Sequence, residues 1–109
     1  LLLNDVTFVE HARGLATRMI LEASETDESR IQHGMMLLLG RKPTLQEMEI
    51  LKAELTTQRG YFQKNPNAIS AYLSVGESEP DENLDPAELA ATTSVARVLM
   101  NLDETLTKE

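Results

Sequence analysis

Apolar residues recur every three or four positions along most of the chain, the spacing that places them on one face of an α-helix. Five such stripes are separated by short polar stretches. Their residues are Phe8, Val9, Ala12, Leu15, Ala16, Met19, Ile20 and Ala23; Ile31, Gly34, Met35, Leu38 and Leu39; Met48, Leu51, Leu55 and Phe62; Ile69, Tyr72 and Leu73; and Leu89, Thr92, Val95, Ala96, Leu99, Leu102 and Leu106. The pattern predicts an all-α fold, a small bundle of about five helices built from helical hairpins, as one domain over residues 1–109.

The stretch "LLLGRKPTLQEMEIL", residues 37–51, holds the most complete boundary between two predicted helices. Gly40 suits the left-handed residue that ends a helix, and Pro43 keeps the preceding residue out of the helical region. Thr44 and Glu47 have the T-x-x-E spacing of a capping box, which predicts the start of the third helix. For Arg41 the structural interpretation is that it binds carbonyls at the end of the second helix or a glutamate of the third, and the alternative is that it binds a ligand.

The other helix boundaries carry similar signals, because short polar side chains accept hydrogen bonds from the free N–H groups of a first turn. The predicted caps are Asn4 or Asp5, then Asp27, Asn65 and Asp85. Pro66 and Pro86 each follow such a cap at the first helical position, where the missing N–H is not needed. Gly76 is predicted to end the fourth helix, and Gly60 is a weak point in the third.

The charge of the chain limits the classes of partner. Ten basic and 18 acidic residues give a net charge of −8. Between Lys64 and Arg97 there are six acidic residues and no basic one. Such a surplus repels nucleic acid and anionic lipid, so a nucleic-acid-binding function is not expected.

Cofactor and membrane signals are missing from the sequence. The chain has no cysteine, which excludes a disulfide, a Cys-ligated metal and a covalently attached haem within it. The sequence has no run of about 18 apolar residues, so no membrane span is predicted. No cofactor is predicted in this segment.

Candidate catalytic or metal-binding residues are few. The two histidines, His11 and His33, lack the Glu-x-x-His and His-Glu-x-x-His spacings of metal-binding helices and are interpreted as residues without a catalytic role.

Asp81, Asn83 and Asp85 imitate the start of a calcium loop. An EF-hand starting at Asp81 would need Gly and Glu at its sixth and twelfth places, which here are Pro86 and Thr92. The interpretation is a solvated acidic loop with a helix cap; weak calcium binding is the alternative.

Among the cations, four arginines are the most interesting: Arg13, Arg18, Arg30 and Arg41. Phosphate-binding loops and nucleophile elbows are absent from the sequence. The five methionines fit apolar stripes better than haem ligation.

Three stretches together resemble the end of a planctomycete-type family called Domain of Unknown Function 1553. They are L-N-D at 3–5, L-G-R-x-P-T at 39–44 and L-x-N-L-D-E-T-L-T at 99–107. One departure is Thr92-Thr93, where relatives are expected to carry an aromatic residue such as Trp. The resemblance implies exported proteins, periplasmic, cell-surface or secreted, that often carry a haem c-type module upstream. It carries over no catalytic residues.

Because the chain starts at "LLLND" without Met and inside an apolar stretch, it is interpreted as a piece of the C-terminal end of a larger protein. The leading hypothesis is a non-enzymatic helical structural or interaction module, docking on the rest of its polypeptide or on another protein. The alternative is an accessory domain that completes a hydrolytic or haem-linked redox site by contributing Arg41, His33 or the acidic loop. The sequence leaves the oligomeric state open.

Overall fold

The computed structural model of this chain describes residues 6–73 and 83–102. These residues form five helices and, within the ranges described, no strand, so the predicted all-α bundle is confirmed. The helices are α1 (Val6–Glu22), α2 (Asp27–Leu39), α3 (Leu45–Lys64), α4 (Pro66–Leu73) and α5 (Pro86–Leu102). Short turns join the first three, and α3 runs without a break through Gly60.

The last helix, α5, is the centre of the bundle and packs against each of the other four. Its buried residues are Leu89, Ala90, Ala91, Thr92, Thr93, Val95, Ala96, Leu99 and Met100. Five consecutive buried positions, 89–93, cover every side of a helix that turns about 100° per residue. Ala and Thr are short enough to let neighbouring helices approach on all sides, so α5 has no solvent-facing stripe over this stretch.

The core otherwise follows the predicted stripes. On α1 the buried apolar residues are Phe8, Ala12, Ala16 and Met19. On α2 and α3 they are Ile31, Met35, Leu51, Leu55 and Phe62. The prediction fails at the end of α5, where Leu102 is 41% exposed, because the final turn carries it away from the core-facing side. Leu106 lies outside the described residues.

The side chain of Met19 on α1 packs against α2 at Gly34. A Cβ atom at this position would lie 2.7 Å from the sulfur of Met19, which is closer than such atoms approach. Glycine inside a helix costs about 1 kcal/mol relative to alanine. Here that cost is offset by the burial of Met19, which is fully enclosed in the core.

The junction between α2 and α3 has the geometry that its sequence predicts. Gly40 adopts φ 73°, in the left-handed region, and its N–H donates to the Met36 carbonyl over 3.0 Å. Thr44 Oγ1 accepts from the N–H of Glu47 at 3.1 Å, and a Glu47 carboxylate oxygen accepts from the N–H of Thr44 at 2.9 Å. This reciprocal pair is the capping box, and Pro43 precedes it outside either helix.

The start of α2 corrects the sequence prediction, because the cap is Thr26 and not Asp27. Thr26 Oγ1 accepts from the N–H of Ser29 at 3.1 Å, and Asp27 is the first residue of the helix. Both residues are good capping types, and the carboxylate of Asp27 is held elsewhere, by Arg59 of α3.

At the start of α5, Asp85 Oδ2 accepts from the N–H of Glu88 at 3.2 Å, and Pro86 is the first helical residue. Pro66 is likewise the first residue of α4. The side-chain amide of Asn65 donates to the Tyr61 carbonyl at 2.8 Å, so this side chain serves the end of α3. The predicted boundaries at Asn4, Asp5 and Gly76 lie outside the described residues.

Candidate functional site

An open groove of about 690 Å³ lies between α3, α4 and α5, and we call it the aromatic groove. Three of the four aromatic residues of the chain line it: Tyr61, Phe62 and Tyr72. Tyr61 and Phe62 are consecutive on α3, so their side chains leave the helix about 100° apart. Phe62 therefore lies in the core at 4% exposure, while Tyr61 is 49% exposed.

The aromatic rings form a continuous contact at the wall of the groove. The ring centroids of Tyr61 and Phe62 lie 5.2 Å apart in an edge-to-face arrangement, and those of Phe62 and Tyr72 lie 5.5 Å apart. These separations are typical of stabilising aromatic pairs. The rings of Phe62 and Tyr72 are thereby fixed against each other, and the groove has a rigid apolar wall.

Arg97 of α5 lines the same groove and is held by aromatic groups. Its guanidinium carbon lies 5.7 Å from the ring centre of Phe8 and 6.0 Å from that of Tyr72. One guanidinium N–H donates to the Tyr72 hydroxyl over 3.3 Å. The electron-rich ring faces stabilise the cation, so α1 and α4 both position this side chain.

Other polar groups surround the apolar wall. Glu54 accepts from the amide of Gln58 at 3.1 Å, and Ser94 Oγ lies 3.5 Å from the Tyr72 hydroxyl. Asn101 completes the polar lining. The described lining contains no histidine, cysteine or lysine. An apolar surface with a few fixed polar groups is an arrangement that binds a ligand.

A different polar constellation joins α2, α3 and α5, and we call it the charge cluster: Asp27, Arg30, Arg59 and Glu88. Arg59 donates to both carboxylate oxygens of Asp27, at 2.9 and 3.2 Å, and to both of Glu88. Arg30 donates to Glu88 at 3.2 Å. Hydrogen bonds to Glu88 and then to Asp27 raise the pKa of Arg59 above its usual value. Two cations and two anions neutralise each other, so the charge cluster ties three helices together.

The structure places Arg41 outside the aromatic groove and pairs it with Glu47 of α3. Two guanidinium nitrogens lie 2.8 and 3.0 Å from the two carboxylate oxygens of Glu47. The hydrogen bond from Arg41, followed by that from the Thr44 N–H, lowers the pKa of Glu47 to about 2. Arg41 also donates to the Lys42 carbonyl at 3.2 Å. The predicted pairing with a glutamate of α3 is therefore observed.

The histidines also lie away from the groove. His33 Nε2 is 2.8 Å from a carboxylate oxygen of Glu22, which also accepts from Arg18. The hydrogen bonds from Arg18 and then His33 lower the pKa of Glu22 to about 2. His11 is exposed. Within residues 6–73 and 83–102 no three His, Asp or Glu side chains are grouped as metal ligands, and Asp81 of the calcium-loop hypothesis falls outside these ranges.

Sequence reasoning missed the aromatic groove and two features of the core. Arg13 is 3% exposed and donates to the Leu73 carbonyl at the end of α4. The hydroxyl of Thr92 is buried and has no hydrogen-bond partner among the described residues. One signal in the sequence points to the groove: three of its four aromatic residues fall between positions 61 and 72.

Comparison of this chain with protein families, curated proteins and solved structures gives no match. Among the described helices, none has both the length and the apolar character that crossing a bilayer requires.

Proposed function

We propose that this chain is a helical interaction module, not an enzyme, and that it binds a segment of the rest of its polypeptide or of another protein in the aromatic groove. The observation that carries the proposal is Tyr61, which is 49% exposed at an open groove whose other two rings are packed against each other. A half-exposed tyrosine on a rigid apolar wall offers contact area at a small cost in side-chain entropy.

Three properties of the groove support protein binding. Tyr and Arg are, together with Trp, the residue types enriched among binding hot spots, and Tyr61, Tyr72 and Arg97 line one surface. The volume, about 690 Å³, is sufficient for a few side chains of a partner. The groove is formed by three helices, so its shape does not depend on a loop.

The resemblance to the Domain of Unknown Function 1553 family favours a module of a larger exported protein, with a periplasmic, cell-surface or secreted location. The accessory-domain alternative stays a prediction. It relied on Arg41, His33 or the acidic loop, and the first two are paired with Glu47 and Glu22 in the structure.

Site-specific photo-crosslinking tests the proposal. The photoreactive residue p-benzoylphenylalanine replaces Tyr61, a conservative exchange of one exposed aromatic ring for another. The matched control carries it at Gln32, an exposed residue on α2 outside the groove. Both proteins are produced in their natural host and irradiated, and the crosslinked peptides are identified by mass spectrometry.

The expected result is a defined crosslinked segment from position 61 that is missing from position 32. Crosslinks of equal number and identity at the two positions would mean that the groove has no special role. The absence of any crosslink from position 61 would contradict the proposal as well.

A further inference from the structure

Arg97 differs from four other arginines of the described structure in the groups that contact its guanidinium. Arg18, Arg30, Arg41 and Arg59 each donate to a carboxylate oxygen at 3.2 Å or less. Arg97 donates to a tyrosine hydroxyl and lies over two aromatic rings. Within residues 6–73 and 83–102 no carboxylate lies within ion-pair distance of it. A guanidinium carries five N–H donors, and among the described residues one acceptor, the Tyr72 hydroxyl, is within hydrogen-bond distance of them.

This arrangement is unusual for a chain so rich in acids. With 18 acidic and 10 basic residues, the chain has more acids than cations, and the charge cluster uses two carboxylates for Arg59. Arg97 is nevertheless partly buried against apolar rings, where a guanidinium keeps its affinity for a carboxylate because water screens the pair less.

We propose that the aromatic groove binds a peptide segment with an Asp or Glu side chain beside an apolar one. The carboxylate accepts from the guanidinium of Arg97, and the apolar side chain packs on Tyr61 and Tyr72. This inference rests on the proposed function and specifies the chemistry of the partner.

Charge on the rest of the surface limits the partner to few acids. The net charge of −8 repels a polyanion such as nucleic acid, and Glu54 lines the groove on the α3 side. A single carboxylate at Arg97 forms a strong hydrogen bond, and this outweighs the repulsion that one negative charge experiences from the acidic surface. A second acid near Glu54 would be repelled by the Glu54 carboxylate and would be unfavourable. The partner segment therefore combines one acid with apolar neighbours.

Selection from a displayed library of random peptides on the whole chain tests this. The enriched peptides are synthesised, and their affinities are measured by calorimetry for the wild type, Arg97→Gln and Arg18→Gln. We expect the enriched sequences to share an acid next to Leu, Ile, Phe or Tyr. Arg97→Gln should weaken binding about tenfold, the loss of one charge-assisted contact. Arg18→Gln removes an exposed ion pair outside the groove and should change the affinity by less than about twofold.

A change in the peptide provides the same test without altering the fold of the protein. Replacing its Glu by Gln, or its Asp by Asn, should weaken binding to the wild type about tenfold. The same replacement should have little effect on binding to Arg97→Gln. This non-additivity identifies the two groups as direct partners.

Tyr61→Ser separates failure of this inference from failure of the proposed function. One outcome is that the enriched peptides lack an acid, bind Tyr61→Ser more weakly than wild type, and bind Arg97→Gln as tightly as wild type. It would overturn the inference and leave the groove as a binding site. If no enriched peptide depends on Tyr61, both proposals are wrong. Self-association of the chain in ultracentrifugation that is abolished by Tyr61→Ser would make a second copy the occupant and overturn the inference.

Discussion

The charge cluster and the aromatic groove share two helices, α3 and α5, yet their arginines have different partners. In the charge cluster, Arg59 of α3 reaches Asp27 of α2 and Glu88 of α5, and each partner is a carboxylate. In the aromatic groove, Arg97 of α5 contacts rings and a hydroxyl. In the charge cluster each arginine is paired with a carboxylate, whereas Arg97 has no carboxylate partner among the described residues.

The comparison shows that the surroundings of an arginine are a better guide to its role than the residue type. Arg59 joins helices whose residues are 29 and 32 positions away in sequence, so we assign it to stability. Arg97 lies at an open surface, and no carboxylate among the described residues is within ion-pair distance of it, which supports the proposal that it serves binding. The same substitution at the two positions should therefore have very different effects.

The largest expected effect is that of Arg59→Met. The change leaves Asp27 and Glu88 without their shared cation while each is only about a quarter exposed. Removing one partner of such a pair is costly because the remaining charge stays partly desolvated. We expect the free energy of unfolding in urea to fall by about 2 to 3 kcal/mol. Arg18→Met, at an exposed i,i+4 pair, is the control, and a loss of similar size there would remove the distinction.

A second test concerns a polar group without a partner in the core. Thr92 is 1% exposed, and its hydroxyl has no acceptor or donor among the described residues. We expect Thr92→Val to raise the free energy of unfolding by about 1 kcal/mol, because it removes the cost of burying that hydroxyl. Thr93→Val is the matched control, since its hydroxyl already donates to the Leu89 carbonyl at 2.7 Å, and it should show less gain. A destabilised Thr92→Val would indicate that the hydroxyl is satisfied.

Arg97→Met should change stability less than Arg59→Met or Thr92→Val. The methionine side chain keeps the apolar contact with Phe8 and Tyr72, while the cation–ring attraction and one hydrogen bond are lost. We expect a decrease in the free energy of unfolding below about 1 kcal/mol in the same urea titration. A loss as large as that of Arg59→Met would give Arg97 a structural role and weaken the case for a binding site.

The smallest expected effect is the pH dependence of stability at an arginine that is paired with a carboxylate. Arg41, which is bound to Glu47, provides this test. The pKa of Glu47 falls from 4.5 to about 2 in the folded chain because Arg41 and the Thr44 N–H donate to it. Its contribution to stability is present above pH 4.5 and is lost as the pH falls towards 2. Glu47→Gln retains a capping side chain, so wild type should be more stable than Glu47→Gln at pH 7 and equal to it near pH 2. A difference that persists at pH 2 would mean that the charge is not its source.

The boundaries of the helices could be predicted because their causes are local. Gly40, Thr44 and Glu47 act within one turn of their own positions, and the junction follows from their chemistry. The error at the start of α2 has a long-range cause. Thr26 and Asp27 are both capping residue types, and the sequence does not show that Arg59, 32 residues later, binds the carboxylate of Asp27.

The groove could not be predicted for a similar reason. It depends on how α3, α4 and α5 lie relative to one another, and helical periodicity gives each face but not its neighbour. Periodicity assigned Tyr72 to the core and left Tyr61 out of the stripe, which is consistent with their half-buried and exposed positions. It gave no indication that Arg97, 25 residues after Tyr72, would contact its ring.

The central position of α5 has a consequence for measuring ligands. The helix that carries Arg97 is also surrounded by the other four over residues 89–93, so the amide hydrogens of that stretch should exchange with solvent only when the whole bundle opens. A ligand that binds at Arg97 then slows the exchange of these amides by raising the free energy of global unfolding. At one hundred times its dissociation constant it would add about 2.7 kcal/mol to the protection of the slowest amides. Hydrogen exchange of α5 therefore measures occupancy of the groove without any label on the partner.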